Sequence, residues 1–234
     1  LFLPFFLLVI LPTILSYIYG NKSLEKTKLI YTSTIKHVAK KLLKEPKLSI
    51  KEIDKLNRVY ILSADLDITI ELGLVERRTY AYYFAKIFGG IPDAVFLKIN
   101  LNKMPPAILY MVSKKRKRLI EKSQKYIYAL DELNLGQLNN YFITLSDNPR
   151  FALKYFDKKI ITLITKLRDH LSYIIVDYKS PQIEMSMQLK DKEAHRVHDL
   201  MLLGTQLAKS VTKVKGKGKE TDVLAFVRKT LREK

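Results

Sequence analysis

Residues 65–75, DLDITIELGLV, decide the fold. Leu66, Ile68, Ile70, Leu72 and Leu74 fall on every second position, with Asp65, Asp67, Thr69 and Glu71 between them. A strand turns successive side chains to opposite faces, so this alternation predicts a strand with one dry face and one wet face. Val59-Tyr60-Ile61-Leu62 just upstream has the same character. Downstream, Arg77, Arg78 and Thr79 open a short aromatic helix over 80–88, closed by Gly89-Gly90. Residues 93–101 alternate again, and Pro105-Pro106 turns the chain into an extended stretch at 107–112. Strand, helix, strand and strand joined by short connections predict a mainly antiparallel sheet.

The rest of the chain adds helices around that block. A basic run, Lys114 to Arg118, opens a helix reaching about Tyr128, and residues 141–145 read as a strand. Ser146-Asp147 ahead of Pro149 starts a helix over 149–169, with a break expected near Phe156-Asp157. Residues 171–177 and 182–189 form a hairpin around Lys179-Ser180-Pro181, and 191–214 is a last long helix. No repeat of fixed period is visible.

At the other end, residues 1–20, LFLPFFLLVILPTILSYIYG, carry no charge. Twenty helical residues span roughly 30 Å, the hydrocarbon thickness of a bilayer. Tyr17 and Tyr19 suit the headgroup zone, and Lys22, Lys26 and Lys28 follow at once. A cleaved signal peptide would instead need a basic start and small residues before the cut, where Leu1 and Ile18 stand. Residues 22–45 carry Leu24, Tyr31, Ile35, Val38 and Leu42 at helical spacing, with Glu45-Pro46 as the stop. The expected fold class is therefore α+β: an N-terminal transmembrane helix, then a cytosolic domain of mainly antiparallel strands with long flanking helices. Its expected parts are an anchor at 1–20, a basic amphipathic helix at 21–46, the α+β domain at 57–214 and a basic tail with a short helix at 215–234.

Forty-two lysines and arginines stand against 23 carboxylates, a formal charge of +19. A field of that size calls for a polyanionic partner: nucleic acid, ribosome or anionic headgroups. Five adjacent cations, Lys114, Lys115, Arg116, Lys117 and Arg118, repel one another unless phosphates face them. The tail adds Lys213, Lys215, Lys217 and Lys219, then Arg228, Lys229 and Arg232, as further candidate phosphate contacts. Catalytic signatures are wanting. There is no cysteine, Gly89-Gly90 lacks the strand–glycine–helix order of a phosphate loop, and no serine stands in a nucleophile elbow. His195 and His198 lie three apart near Asp191 and Asp199, a spacing more often found on an ordinary polar helix face than in a metal site. Asp65 and Asp67 share a strand face that reads as solvated. The reading is non-enzymatic, with no cofactor and no metal.

The order of pieces resembles the calumin family, the coiled-coil-domain-containing subunit of the PAT complex (protein associated with the translocon). The likeness lies in Tyr17-Ile18-Tyr19-Gly20 before a long basic helix, and in Ile68-Thr69-Ile70-Glu71-Leu72 before Arg77-Arg78-Thr79 and an aromatic helix. It continues through 93–100, Ile108 to Val112 running into the basic helix, and Leu200 to Ala208, covering roughly 11–214 as a pattern. The resemblance implies an endoplasmic reticulum membrane protein that binds the ribosome through rRNA beside the translocon channel. It further implies a small membrane chaperone subunit as partner and a role in insertion of multipass membrane proteins. An archaeal member would sit in the plasma membrane. The family's acidic, calcium-binding lumenal region has no counterpart here, so no calcium role is carried over; its long coiled coil is reduced to the stretch from Lys213 to Lys234. The competing reading is a membrane-anchored basic module that binds membrane lipids through anionic headgroups, or another nucleic acid.

Overall fold

Isoleucines, valines and leucines on alternate positions assemble, among the described residues, one nine-stranded sheet in which every neighbouring pair is antiparallel. The computed structural model describes residues 29–53, 56–63, 66–73, 94–116, 130–178, 181–188 and 195–214. The strands are β1 (Lys47–Ile53), β2 (Leu56–Leu62), β3 (Asp67–Gly73), β4 (Ala94–Asn100), β5 (Leu109–Ser113), β6 (Asp131–Glu132), β7 (Phe142–Ser146), β8 (Leu171–Asp177) and β9 (Gln182–Gln188). Their order across the sheet is β1-β2-β3-β4-β9-β8-β5-β7-β6. The described helices are α1 (29–42), α2 (Pro149–Ala152), α3 (Lys158–Leu167) and α4 (His195–Lys213).

Register carries the alternation across the sheet. Ile61 faces Ile68, Ile68 faces Ile99, and Ile99 faces Ile183, so one face becomes a continuous dry surface. α1 contributes Tyr31, Ile35, Val38 and Ala39 to that core, α3 contributes Ile160, Ile164 and Leu167, and α4 contributes Leu200, Leu203, Leu207 and Val211. Those spacings are the three-to-four rhythm of a helix with one buried stripe. The second face is less wet than simple alternation predicts. Val112 and Leu145 are buried on it, and burial, then the charge of Glu184, pushes the Tyr173 phenol up to about 12.

α4 seats directly against the sheet at Gly204, which has no side chain. A Cβ there would come within 2.6 Å of Leu97 Cδ2 and 2.9 Å of Ile99 Cδ1, both buried. α3 starts where the Asp157 carboxylate accepts a hydrogen bond from the Ile160 amide at 2.8 Å, an N-cap that satisfies an otherwise orphaned donor. The loop between β4 and β5 is clamped twice. The buried Tyr155 hydroxyl accepts from the Ala107 amide and donates to the Ala107 carbonyl, each at 2.8 Å. Asp147 accepts from the Ile108 amide at 2.7 Å, while Ser146 donates to the Ile108 carbonyl at 2.6 Å. Burial raises the Asp147 carboxyl above its ordinary value, against the lowering effect of hydrogen bonds from the Ile108 amide and Tyr178.

One end of the sheet gathers the ends of β3, β5 and β9 with the starts of β4 and β8, since Gly73 pairs with Ala94, Ala94 with Gln188, and Leu171 with Met187. α4 begins after β9 leaves that end, and its nineteen residues extend roughly 28 Å. Its far part meets the turn after α2, where Ser210 Oγ donates to the Lys154 carbonyl at 3.4 Å.

The fold departs from the sequence reading in several places. The expectation of an N-terminal transmembrane helix is corrected: no helix among the described residues is long and apolar enough to cross a membrane. Residues 1–20 lie outside those described, and the helices that are described each bury one stripe against the sheet and carry cations elsewhere. The aromatic helix at 80–88 and the tail at 215–234 also lie outside the described residues. The helix expected from Lys114 begins as a 3-10 turn, Lys114–Arg116, and residues 117–129 are outside the description. β1 and β6 were not anticipated; β6 is only two residues, too short for an alternation to show. The break at Phe156-Asp157, the 171–189 hairpin and the late helix are found where expected.

Two substitutions test this account. Tyr155→Phe keeps the ring but strands the buried Ala107 amide and carbonyl, and should cost about 2–3 kcal/mol in urea denaturation. Gly204→Val should cost about 1–3 kcal/mol by driving α4 off Leu97 and Ile99; a variant as stable as the parent would show that α4 is not tightly seated.

Candidate polyanion interface

Charge is sorted by layer. The helix-bearing segments 29–45, 149–169 and 195–213 hold 13 of the 21 cations in the described residues and four of the 12 carboxylates. The remaining described residues carry eight of each. The whole described excess of +9 therefore belongs to the helical segments. The physical cause is the buried stripe of each helix: Tyr31, Ile35 and Val38 point α1 at the sheet, which turns Lys36, Lys40 and Lys41 to solvent. α3 does the same with Lys158, Lys159 and Lys166, and α4 with Lys209 and Lys213.

Three of the four carboxylates in these segments are already engaged. Asp157 caps α3. Asp199, almost wholly buried on α4, receives Lys166 Nζ at 2.9 Å, with His198 Nδ1 3.4 Å away. Asp169 lies 2.9 Å from Lys115 Nζ and 3.7 Å from Arg168 Nε. The hydrogen bond from Lys115, reinforced by its charge, holds the exposed Asp169 carboxyl below the ordinary carboxylate range. Arg168 stacks over the Tyr141 ring at 4.9 Å. A wide-mouthed depression of about 560 Å³ on the outer side of α3 is lined by Ile161, Thr162, Thr165, Lys166, Arg168 and Asp169. The hydroxyls of Thr162 and Thr165 each donate to a carbonyl one turn earlier at 2.8 Å, so they satisfy their own helix.

The structure places four of the twelve candidate phosphate contacts. Lys114 follows β5, exposed, with its amide bonded to the Tyr141 carbonyl at 2.9 Å. Lys115 beside it is drawn to Asp169, and Arg116 closes the 3-10 turn. Lys213 ends α4. Lys114 and Lys213 are not brought together: the first stands where β5 meets the start of β8, the second at the far end of α4. Lys117, Arg118, Lys215, Lys217, Lys219, Arg228, Lys229 and Arg232 lie outside the described residues.

Sequence reading passed over Lys36, Lys40, Arg150, Lys154, Lys158, Lys159 and Lys209, because no run of adjacent cations marks them. The signal was present as lysines lying off each helix's apolar stripe. His195 is exposed and His198 turns to Asp199; among the described residues no group of three His, Asp or Glu side chains stands close enough to hold a metal. Asp67 accepts from Asn100 Nδ2 at 2.9 Å, and Asp65 lies outside the description.

No family model matches the chain, and no curated protein does. Among solved structures, the mycobacterial trehalose monomycolate transport factor A, TtfA, is similar at a TM-score of 0.39 and 10% identity. The match covers 75% of this chain and 76% of that one. That distance is too great to carry either fold or activity across.

The ion pair makes a pH prediction. A carboxyl lowered in the folded state adds stability above its unfolded value near 3.8, and that contribution disappears as pH falls through the folded value. Carbon-detected NMR titration should give Asp169 a midpoint below 3.8, and Lys115→Gln should move it upward. An identical midpoint in the variant would dissolve the pair as a feature of the protein in solution.

Proposed function

We propose that this protein is a non-enzymatic docking module that seats its helical layer on a phosphate-rich polyanion. The supporting observation is the segregation of charge: the entire described excess lies in the helical segments, while the strands and their loops are balanced. Cations on several elements facing one way attract an extended anion far better than the same number spread evenly, because each neutralised phosphate releases counterions. The resemblance read from sequence supplies the particular polyanion in this proposal, ribosomal RNA beside the translocon, with assistance to multipass membrane-protein insertion as the purpose. Binding then rests on backbone phosphates rather than bases: among the described residues the layer offers exposed lysines, not a row of stacking rings.

Replacing Lys36, Lys40, Lys41, Lys158 and Lys159 with glutamine should weaken cosedimentation with ribosomes. It should also flatten the dependence of log K on log salt by about 0.7–0.9 per lost contact. A control set on the strands, Lys47, Lys51 and Lys98 to glutamine, should leave both nearly unchanged. Equal losses from the two sets would mean that total charge, not the layer, drives attraction.

A further inference from the structure

The turn after α2 carries an oddity that phosphate binding alone does not explain. Leu153 is 44% exposed in the middle of cations, with Arg150 and Lys154 on its own segment. Ser210 of α4 bonds to the Lys154 carbonyl, which sets exposed Lys209 and Lys213 beside the same turn. Phe151, half-buried, lies under the Lys154 ammonium at 5.3 Å. Asp157, the carboxylate nearest Leu153 in sequence, is exposed, with one oxygen engaged by the Ile160 amide as the cap of α3. A bare leucine adds nothing against an RNA backbone and exposes apolar surface to water in the free protein. An anionic bilayer uses both features: headgroup phosphates take the lysines, and the acyl boundary takes the leucine and the ring beneath it.

We infer that this end of the helical layer, centred on Leu153 with Arg150, Lys154, Lys209 and Lys213, docks on the surface of a bilayer rich in anionic phospholipid. The inference rests on the polyanion reading above and narrows it at this end to one ligand source. Leu153 enters the interfacial zone, while the long lysine stems lie along apolar surface and keep their ammonium groups among the phosphates. The contact is peripheral and reversible, and weakens with salt.

The test uses the full chain with vesicles of phosphatidylcholine, with and without phosphatidylserine, and in parallel with ribosomes. The expected result is sedimentation with the phosphatidylserine vesicles alone, weakened about tenfold by Leu153→Gln through the lost apolar contact. Ribosome binding should be untouched by that change. A second variant, Lys154→Gln with Lys209→Gln, should weaken vesicle binding with an unaltered thermal melt, which separates docking from damage to the turn. Vesicle binding indifferent to both variants, or ribosome binding with no vesicle binding, overturns the bilayer inference while leaving the polyanion reading in place. Binding to neither partner overturns both.

Discussion

The closeness of α4 to the sheet is the constraint from which the rest follows. At Gly204 the helix backbone comes near enough that a single added carbon would collide with Leu97 and Ile99. That approach fixes which stripe of α4 faces inward, and so which residues are left outside. Asp199 is carried to the inner edge, where Lys166 of α3 meets it at 2.9 Å and ties the two helices together. The same seating brings Ser210 against the Lys154 carbonyl and thereby locates the turn after α2. Charge on the outside is thus positioned by carbon on the inside.

This arrangement has an electrostatic cost that the fold tolerates. Thirteen cations in the helical segments repel one another, with screening beyond the Debye length of about 8–10 Å at physiological salt. Balanced charge among the strands offers no relief to them, and three of the four carboxylates in the layer are engaged locally. Stability therefore leans on the continuous apolar face built from β2, β3, β4, β9 and β8.

What the sequence revealed depended on how local each signal was. β3 and the β8–β9 hairpin were legible because strict alternation and a Ser-Pro turn lie within a few residues. The break between α2 and α3 was legible because Asp157 is a strong helix starter. The order of strands was not, since placing β9 between β4 and β8 joins residues some ninety positions apart in the chain through pairings that no local pattern encodes. The site divided in the same way. Lys114 to Arg118 drew attention as a run, yet its described part is partly matched by Asp169. The larger basic surface stayed hidden, because its members are scattered through three helical segments and come together only when those segments bury their apolar sides.

The two margins of the sheet have unequal fates. β6 ends one side after two residues, both carboxylates, offering another chain too few amides to grip. β1 ends the other side with seven residues, and there Lys47 and Lys51 stand exposed. Any second molecule approaching edge to edge would meet those ammonium groups with its own, which discourages fibre-like growth through the longer margin. Cationic character in this chain thus works in two directions: in the proposed function it attracts anions to the broad face, and along the rim it keeps identical copies apart.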